Sequence, residues 1–160
     1  MRLRPALLLL CAACVAAPAG RDGAAAPAWV AQPDVARTAE SPLECFAVGA
    51  APLGPQSARD ADHYARAAER ALRDAEQRLA RRTTTALVRA GLATQRASVL
   101  RAVQGGARVK GRFVDGSSYL VWLVSDIGHA LDAARVAAGD EQRAALAQAL
   151  AASAADASVR

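Results

Sequence analysis

The pattern of apolar and polar positions predicts a β-hairpin surrounded by alanine-rich helices. Two runs rich in β-branched and aromatic residues, 107–114 and 119–124, flank Asp115-Gly116. A glycine tolerates a positive φ and an aspartate bonds its own backbone in a tight turn, so this order is typical of a hairpin. The second run is apolar at every position, which predicts a strand that is buried on both faces and central in its sheet.

The first strand of the hairpin alternates polar and apolar residues. Its polar positions are Lys110 and Arg112. Because successive side chains of a strand point to opposite faces, we expect one polar face and one face that carries Val109, Gly111 and Phe113.

A further strand is predicted over residues 44–51, where an apolar run contains Phe46 and Val48 and stops before Pro52. Residues 31–43 contain two prolines and polar residues, and are predicted to form a loop. Trp29 is expected to plug the end of the core.

A long helix is predicted from Ala58 to about Arg82, with Ser57 as its N-cap. Its small and apolar residues recur at intervals of three and four, at Ala61, Ala65, Ala68, Leu72, Ala75 and Leu79. These small side chains predict a helix that lies close on a sheet. Thr83-Thr84-Thr85 lowers helix propensity, so the segment 83–89 is interpreted as a possible strand that Gly91 ends.

Shorter helices are predicted from the same spacing in the rest of the chain. They cover residues 94–104, which Gly105-Gly106 breaks, a segment from Ile127 that Ser125 or Asp126 caps and Gly139 ends, and residues 140–152. The predicted fold is therefore α+β, with a small antiparallel sheet of three or four strands. The long helix packs on one face of the sheet, two C-terminal helices follow, and a single domain spans residues 29–152.

Composition limits what this domain can contain. Aromatic residues make up only 4% of the chain and alanine dominates its apolar residues. Alanine buries little area, so we expect close contact between helices and sheet in place of interdigitated large side chains. The formal charge of +5 is carried by arginines interleaved with acids along helices, which is typical of a solvated surface. No nucleic-acid partner is predicted.

The N-terminus has the pattern of an export signal, predicted over residues 1–19. A basic start is followed by an apolar stretch too short to span a membrane. Two processing routes remain open: cleavage after Ala19, or lipoprotein processing at Cys14, which would anchor the protein to the membrane. Residues 20–28 are predicted to be a tether, and residues 153–160 a tail.

Candidate chemistry is sparse elsewhere in the sequence. Cys45 lies in an apolar run and is predicted to be a buried strand residue. A thiol nucleophile would need a histidine beside it, but nothing in the sequence places His63 or His129 there. The one suggestive cluster is Asp115, Asp126, His129 and Asp132. A zinc site needs at least three protein ligands, so no catalytic residue, metal site or cofactor is predicted.

The order of these parts resembles a known family. A leader with a candidate lipid cysteine precedes Pro27-Ala-Trp-Val30, a strand ending Phe46-Ala-Val-Gly-Ala50, and a long helix containing Ala58-Arg59 and Arg78-Leu79-Ala80. Val114-Asp115-Gly116 then leads into Tyr119-Leu-Val. Across residues 27–126 the chain resembles the LPP20-type bacterial envelope lipoproteins. The resemblance implies a compact α+β domain in the cell envelope, and it carries over no catalytic residue.

The predicted function is that of an exported, lipid-anchored, non-enzymatic envelope protein that acts through protein contacts in the periplasm or at the outer membrane. The alternatives are an exported small hydrolase or metal-dependent enzyme, and a basic module that binds peptidoglycan or another polymer. If one face of the second hairpin strand were uncovered, it would be the contact surface. The two faces carry Tyr119, Val121 and Leu123, or Leu120, Trp122 and Val124.

Overall fold

The computed structural model describes residues 25–55 and 60–153. Its helices and strands are, in chain order, α1 (Ala28–Ala31), β1 (Glu44–Pro52), α2 (Ala61–Arg89), α3 (Arg96–Gly106), β2 (Arg108–Val114), β3 (Ser118–Asp126), α4 (Ile127–Ala133) and α5 (Asp140–Ala152). Short 3-10 turns occupy Pro33–Ala36 and Ala93–Gln95. The predicted α+β class is therefore confirmed.

The strands form a three-stranded antiparallel sheet in the order β1-β3-β2. The predicted central position of β3 is confirmed, because β3 pairs with both other strands. The residues from Tyr119 to Val124 are buried, so neither face of β3 is open to solvent. The condition under which one face of this strand would form a contact surface, namely that the face is uncovered, is therefore not met.

The hairpin turn forms as its residues predict. Gly116 has a φ of 80°, in the left-handed region that glycine occupies without strain. The Asp115 carboxylate accepts hydrogen bonds from the backbone N–H of Ser117 at 3.2 Å and of Ser118 at 2.7 Å. This side chain therefore closes the turn that joins β2 to β3.

A bulge in β2 overturns the predicted alternation of its side chains. Val109 pairs with Leu123 and Gly111 pairs with Trp122, so Lys110 is the extra residue. Val109 consequently packs on the helix side of the sheet, while Gly111 and Phe113 lie on the opposite side. The interpretation of one apolar and one polar face was wrong, because an inserted residue reverses the side to which each later residue points.

Helix α2 is longer than predicted. It spans 29 residues and runs through the three threonines to Arg89, so the prediction of a strand at 83–89 is wrong. Thr83, Ala86 and Leu87 are all buried in its last turns. Burial of these residues against the core stabilises the last turns of the helix by more than the low helix propensity of the threonines destabilises them. Gly91, with a φ of 73°, follows the end of this helix, whereas it was expected to end a strand.

The core-facing side of α2 agrees with the predicted one only in part: Ala75 and Leu79 are buried as predicted, and the other predicted positions are not. Its buried residues are Ala67, Ala71, Ala75, Leu79, Thr83, Ala86 and Leu87. Ala61 and Ala65 are exposed, and Ala68 and Leu72 are half-buried. Alanines occur all around the first half of this helix, so their spacing did not identify the buried side. The expected close approach to the sheet is confirmed, and Gly49 of β1 makes it possible.

The start of α2 is set by Asp60, whose carboxylate accepts a hydrogen bond from the His63 N–H at 2.7 Å. The predicted cap Ser57 lies outside the described residues. So do Cys14, Ala19 and residues 154–160 of the predicted tail.

The second face of the sheet is covered by the segment that precedes β1. Trp29 stacks on Trp122 with ring centroids 5.5 Å apart, and the indole N–H of Trp122 donates to the Pro33 carbonyl at 2.9 Å. Trp29 is buried as predicted, although it covers a sheet face and not the end of the core. Pro33–Ala36, in the predicted loop, forms a 3-10 turn.

The later helices differ from the predictions mainly at their ends. Helix α3 continues through Gly105 and Gly106, which were expected to break it. Asp126 caps α4 as predicted, but the helix ends at Ala133 and not at Gly139, and Arg135 follows with a φ of 55°. Helix α5 has the predicted bounds and packs beside α2.

Candidate interaction site

The structure brings together only part of the cluster on which the enzyme alternative depends. Asp115 lies in the hairpin turn, at the opposite end of β3 from Asp126. Asp126 caps α4 by accepting from the His129 N–H at 3.1 Å. Asp132 forms an exposed ion pair with Arg143 at 3.1 Å. Each carboxylate therefore has a local structural partner.

His129 lines a shallow cavity of about 360 Å³ between α3 and α4, which Asp126 and Arg108 also line. The His129 side chain is 88% exposed, and its Nδ1 lies 3.7 Å from a carboxylate oxygen of Asp126. In residues 25–55 and 60–153 there is no group of three or more histidine, cysteine or acidic side chains that could hold a metal ion.

Cys45 is buried in β1, as predicted. Burial raises the pKa of its thiol to about 11, and the positive charge of Arg82 only partly opposes this shift. A reactive cysteine needs a lowered pKa and access to solvent. The Nε2 atom of His63 accepts a hydrogen bond from the Gly54 N–H at 3.3 Å, beyond the other end of β1. The geometry therefore gives Cys45 a structural role.

The two outer edges of the sheet differ in how their backbone is covered. We call the outer side of β1 the closed edge, because side chains bind its backbone groups. Asp74 of α2 accepts a hydrogen bond from the Ala50 N–H at 3.0 Å. Arg82 donates to the Phe46 carbonyl, and Arg37 donates to the Glu44 carbonyl at 2.8 Å. These contacts occupy positions at which another strand would pair.

Arg82 joins the closed edge to both ends of the domain. Its guanidinium donates to the Asp34 carboxylate at 2.8 Å and to the Ser153 hydroxyl at 3.2 Å. Asp34 also pairs with Arg37 at 2.9 Å, and the side chains of Arg82 and Asp34 are only 11% and 12% exposed. The closed edge is thus held by a largely buried set of charged side chains.

We call the outer side of β2 the open edge. Within the described part of the chain no strand pairs with this side, and no side chain hydrogen-bonds to its backbone. A strand edge with unpaired N–H and C=O groups is a template for pairing with another extended segment.

An apolar groove lies beside the open edge, on the helix side of the sheet. Its volume is about 210 Å³, and its apolar lining consists of Ala65, Ala68, Leu72, Val109, Tyr119 and Val121. Glu69 and Arg112 also line the groove. Burial raises the pKa of the Tyr119 phenol, and the charge of Arg112 partly opposes this shift. The groove forms because α2 packs most closely against β1 and leaves β2 half-covered.

The open edge also carries three exposed cationic side chains. Arg108 pairs with Glu44 at 3.4 Å but its side chain remains 70% exposed. The Lys110 ammonium lies 5.8 Å from the ring centroids of Phe46 and Trp122. Among the described residues, neither Lys110 nor Arg112 forms an ion pair with a carboxylate. The candidate site therefore combines free backbone groups, an apolar groove and positive charge.

The sequence indicated only part of this site. Lys110 and Arg112 stood out as polar residues of an apolar hairpin, but they were expected on the same face. The groove could not be predicted, because it depends on which side of α2 faces the sheet.

No protein-family model, characterised protein or solved structure matches this chain. The resemblance to LPP20-type lipoproteins therefore stays a prediction. Among the described helices none is long and apolar enough to cross a membrane.

Proposed function

We propose that this chain is an exported, lipid-anchored, non-enzymatic protein of the bacterial cell envelope that acts through contacts with other proteins. Its working part is the domain of residues 29–152, and its anchor is an acylated Cys14. The proposal places it in the periplasm or at the outer membrane.

The sequence supports the anchored location. A basic start and a short apolar stretch precede Cys14, and an Ala/Pro/Gly-rich segment separates that cysteine from Trp29. A lipid-anchored domain needs a spacer of this kind to stand clear of the membrane surface. Trp29 is the first residue of the described chain that is buried on the sheet.

The observation that carries the proposed mode of action is the open edge of β2. Soluble proteins commonly cover such an edge, as this domain does at β1. At β2 the backbone is unpaired within the described residues, and an apolar groove lies beside it. The acids and histidine of the enzyme alternative are engaged in a turn, a helix cap and surface contacts.

Mass spectrometry of the mature N-terminus tests the anchored location. We expect an acylated cysteine at position 14 in the wild-type protein, and recovery of the protein with the membrane fraction. The Cys14→Ser variant is expected to lose both features. The matched control is Cys11→Ser, which changes the neighbouring leader cysteine and is expected to retain the acylated product. A wild-type protein that begins with a free amine at Gly20 would refute lipid anchoring.

A further inference from the structure

We propose that the open edge of β2 binds an extended segment of a partner protein as a fourth strand of the sheet, and that this segment alternates acidic with small apolar residues. The inference rests on the proposed function and deepens it, because it names the docking surface and the chemistry of the partner.

The register of the hairpin shows which backbone groups are free. The Asp115 N–H donates to the Ser118 carbonyl at 3.1 Å, so Asp115 directs its backbone toward β3. Along an antiparallel pair, the N–H and C=O groups of successive residues point alternately toward the partner strand and away from it. Val114 and Arg112 therefore direct their N–H and C=O groups outward. An added strand would find two successive pairing positions before the bulge at Lys110.

The groove indicates what one face of the added strand must carry. A fourth strand beside β2 would direct alternate side chains toward α2. There they would meet Ala65, Ala68 and Leu72 together with Val109. A groove of about 210 Å³ admits small apolar side chains, such as valine or alanine, more readily than aromatic ones.

Charge indicates what the other face of the added strand must carry. Arg108 pairs with Val124 and Lys110 stands over Trp122, so both lie on the side of the sheet opposite α2. The Lys110 ammonium lies over the rings of Phe46 and Trp122, and Arg108 pairs with Glu44 of β1. A carboxylate on this face of the partner strand would therefore pair with Lys110 after its exposed side chain turns toward the open edge. Arg112, on the groove side, can receive a further carboxylate from one end of the segment.

The same charge argues against a second copy of this chain as the occupant. If two β2 strands paired edge to edge, Arg108, Lys110 and Arg112 of one copy would lie beside the same cations of the other. Like charges directly opposite each other across strands are destabilising. A partner segment that carries carboxylates removes this repulsion and supplies ion pairs for Lys110 and Arg112, which form none among the described residues.

The test measures binding of the full chain, purified as the cell processes it, to a fluorescent peptide that alternates glutamate and valine. Anisotropy is the readout. The control peptides alternate lysine with valine, or carry the same residues with the glutamates in one block. We expect saturable binding of the alternating acidic peptide and much weaker binding of both controls. Equal binding of the two acidic peptides would reduce the effect to nonspecific charge and overturn the proposal.

Two charge variants locate the site. Lys110→Gln combined with Arg112→Gln is expected to weaken binding about three- to tenfold, which corresponds to two partly exposed ion pairs. The matched control is Arg89→Gln combined with Arg101→Gln, which removes the same charge from exposed positions on α2 and α3. This control is expected to bind as the wild type does. Equal weakening in both double variants would overturn the proposal.

A backbone variant separates strand pairing from charge. Arg112→Pro removes an outward N–H, and its comparison is Arg112→Gln, which removes only the charge. We expect Arg112→Pro to bind at least about fivefold more weakly than Arg112→Gln, because one hydrogen bond of the added strand is lost. Equal affinity of the two variants would contradict strand addition. Self-association of the wild type that Arg112→Pro abolishes, without peptide binding, would assign the edge to a second copy and overturn the proposal.

The outcomes for this site and for the anchor are independent. Peptide binding at β2 by a protein with a free N-terminus would retain the inference and refute lipid anchoring. An acylated Cys14 with no peptide binding would retain the anchor and refute the inference.

Discussion

The two edges of one small sheet are treated in opposite ways. At β1, side chains from α2 and from the segment before the strand bind outward backbone groups at three positions: Glu44, Phe46 and Ala50. At β2 the described residues leave the outward groups unpaired and place three exposed cations beside them. Protection of an edge thus depends on where the long helix lies, because α2 follows β1 closely and leaves β2 half-covered.

The two edges also differ in the role of their charged side chains. Those at β1 hold the fold together, and those at β2 are available to another molecule. Arg82 and Asp34 are largely buried and bind each other, and Arg82 also binds the backbone of β1. Lys110 and Arg112 are exposed and form no ion pair within the described chain. In a protein with this many arginines, location and partners distinguish a residue that holds the fold from one that can meet another molecule. Substitutions at the two edges test this distinction.

Gly49→Ala is expected to disturb the closed edge most. The added Cβ would lie 2.0 Å from the Ala71 carbonyl oxygen and 2.2 Å from the Ala75 nitrogen, both of which are backbone atoms of α2. The helix must move away from β1, which we expect to cost about 3 kcal/mol or more of unfolding free energy. Urea denaturation followed by circular dichroism measures this loss.

The control for this substitution is Gly105→Ala in α3, where an added Cβ meets nothing within 4 Å. Alanine in a helix is more favourable than glycine by about 0.5–1 kcal/mol, so this variant is expected to be neutral or slightly stabilised. A Gly49→Ala protein as stable as the control would show that α2 does not pack on β1 in the described way.

Arg82→Met is expected to open the closed edge from its centre. The change leaves the Phe46 carbonyl without its donor and the Asp34 carboxylate with Arg37 alone, in a largely buried site. Removing one member of such a pair costs about 3 kcal/mol. Arg78→Met is the matched control, because Arg78 pairs with Asp74 at 2.9 Å but is 43% exposed. We expect a loss below about 1 kcal/mol there, and equal losses in the two variants would contradict the distinction.

The burial of Cys45 predicts how the stability of the domain depends on pH. The folded pKa of about 11 exceeds the ordinary value of 9.0, so above pH 9 the unfolded chain releases the thiol proton first. The stability that this group contributes is complete below pH 9 and is lost as the pH rises toward 11. We expect a loss of about 2 kcal/mol between pH 8 and pH 10.5.

The comparison for this prediction is Cys45→Ala, measured by urea denaturation at the same series of pH values. The variant is expected to lose less stability over this interval, because it lacks the thiol. Parallel curves for the two proteins would show that Cys45 is accessible to water in the folded state.

Local chemistry predicted the hairpin and the first strand better than it predicted the long helix. The hairpin was predictable because Asp115 and Gly116 suit a tight turn and because the run after them is apolar throughout. The burial of Cys45 followed from its apolar neighbours. In these segments a few residues with strong conformational or burial preferences determine the structure. The local sequence is therefore sufficient to predict it.

The rest depended on contacts that are distant in the sequence. Alanines surround the first half of α2, so only the approach of Gly49 shows which of them face the sheet. The threonines at 83–85 remain helical because the core buries the end of α2. The bulge at Lys110 reverses the sides of β2 without a local signal. The open edge therefore became visible only when strand order and the position of α2 were known.

The smallest expected effect is the difference in stability between two variants that carry the same substitution at the two edges. Ala50 and Arg112 each follow a glycine and each direct their backbone outward, one on β1 and one on β2. Ala50→Pro removes the N–H that donates a hydrogen bond to Asp74, whereas Arg112→Pro removes an N–H that has no partner among the described residues.

The strain of proline in a strand is common to both variants. We therefore expect Ala50→Pro to be less stable than Arg112→Pro by about 1 kcal/mol in urea denaturation, which is the net contribution of one hydrogen bond. A combination of Ala50→Pro with Asp74→Ala should cost less than about 1 kcal/mol more than Ala50→Pro alone, because Asp74 then keeps only its partly exposed ion pair with Arg78. If Arg112→Pro were the more destabilised variant, the backbone of β2 would have a partner within the chain, and its edge would not be open.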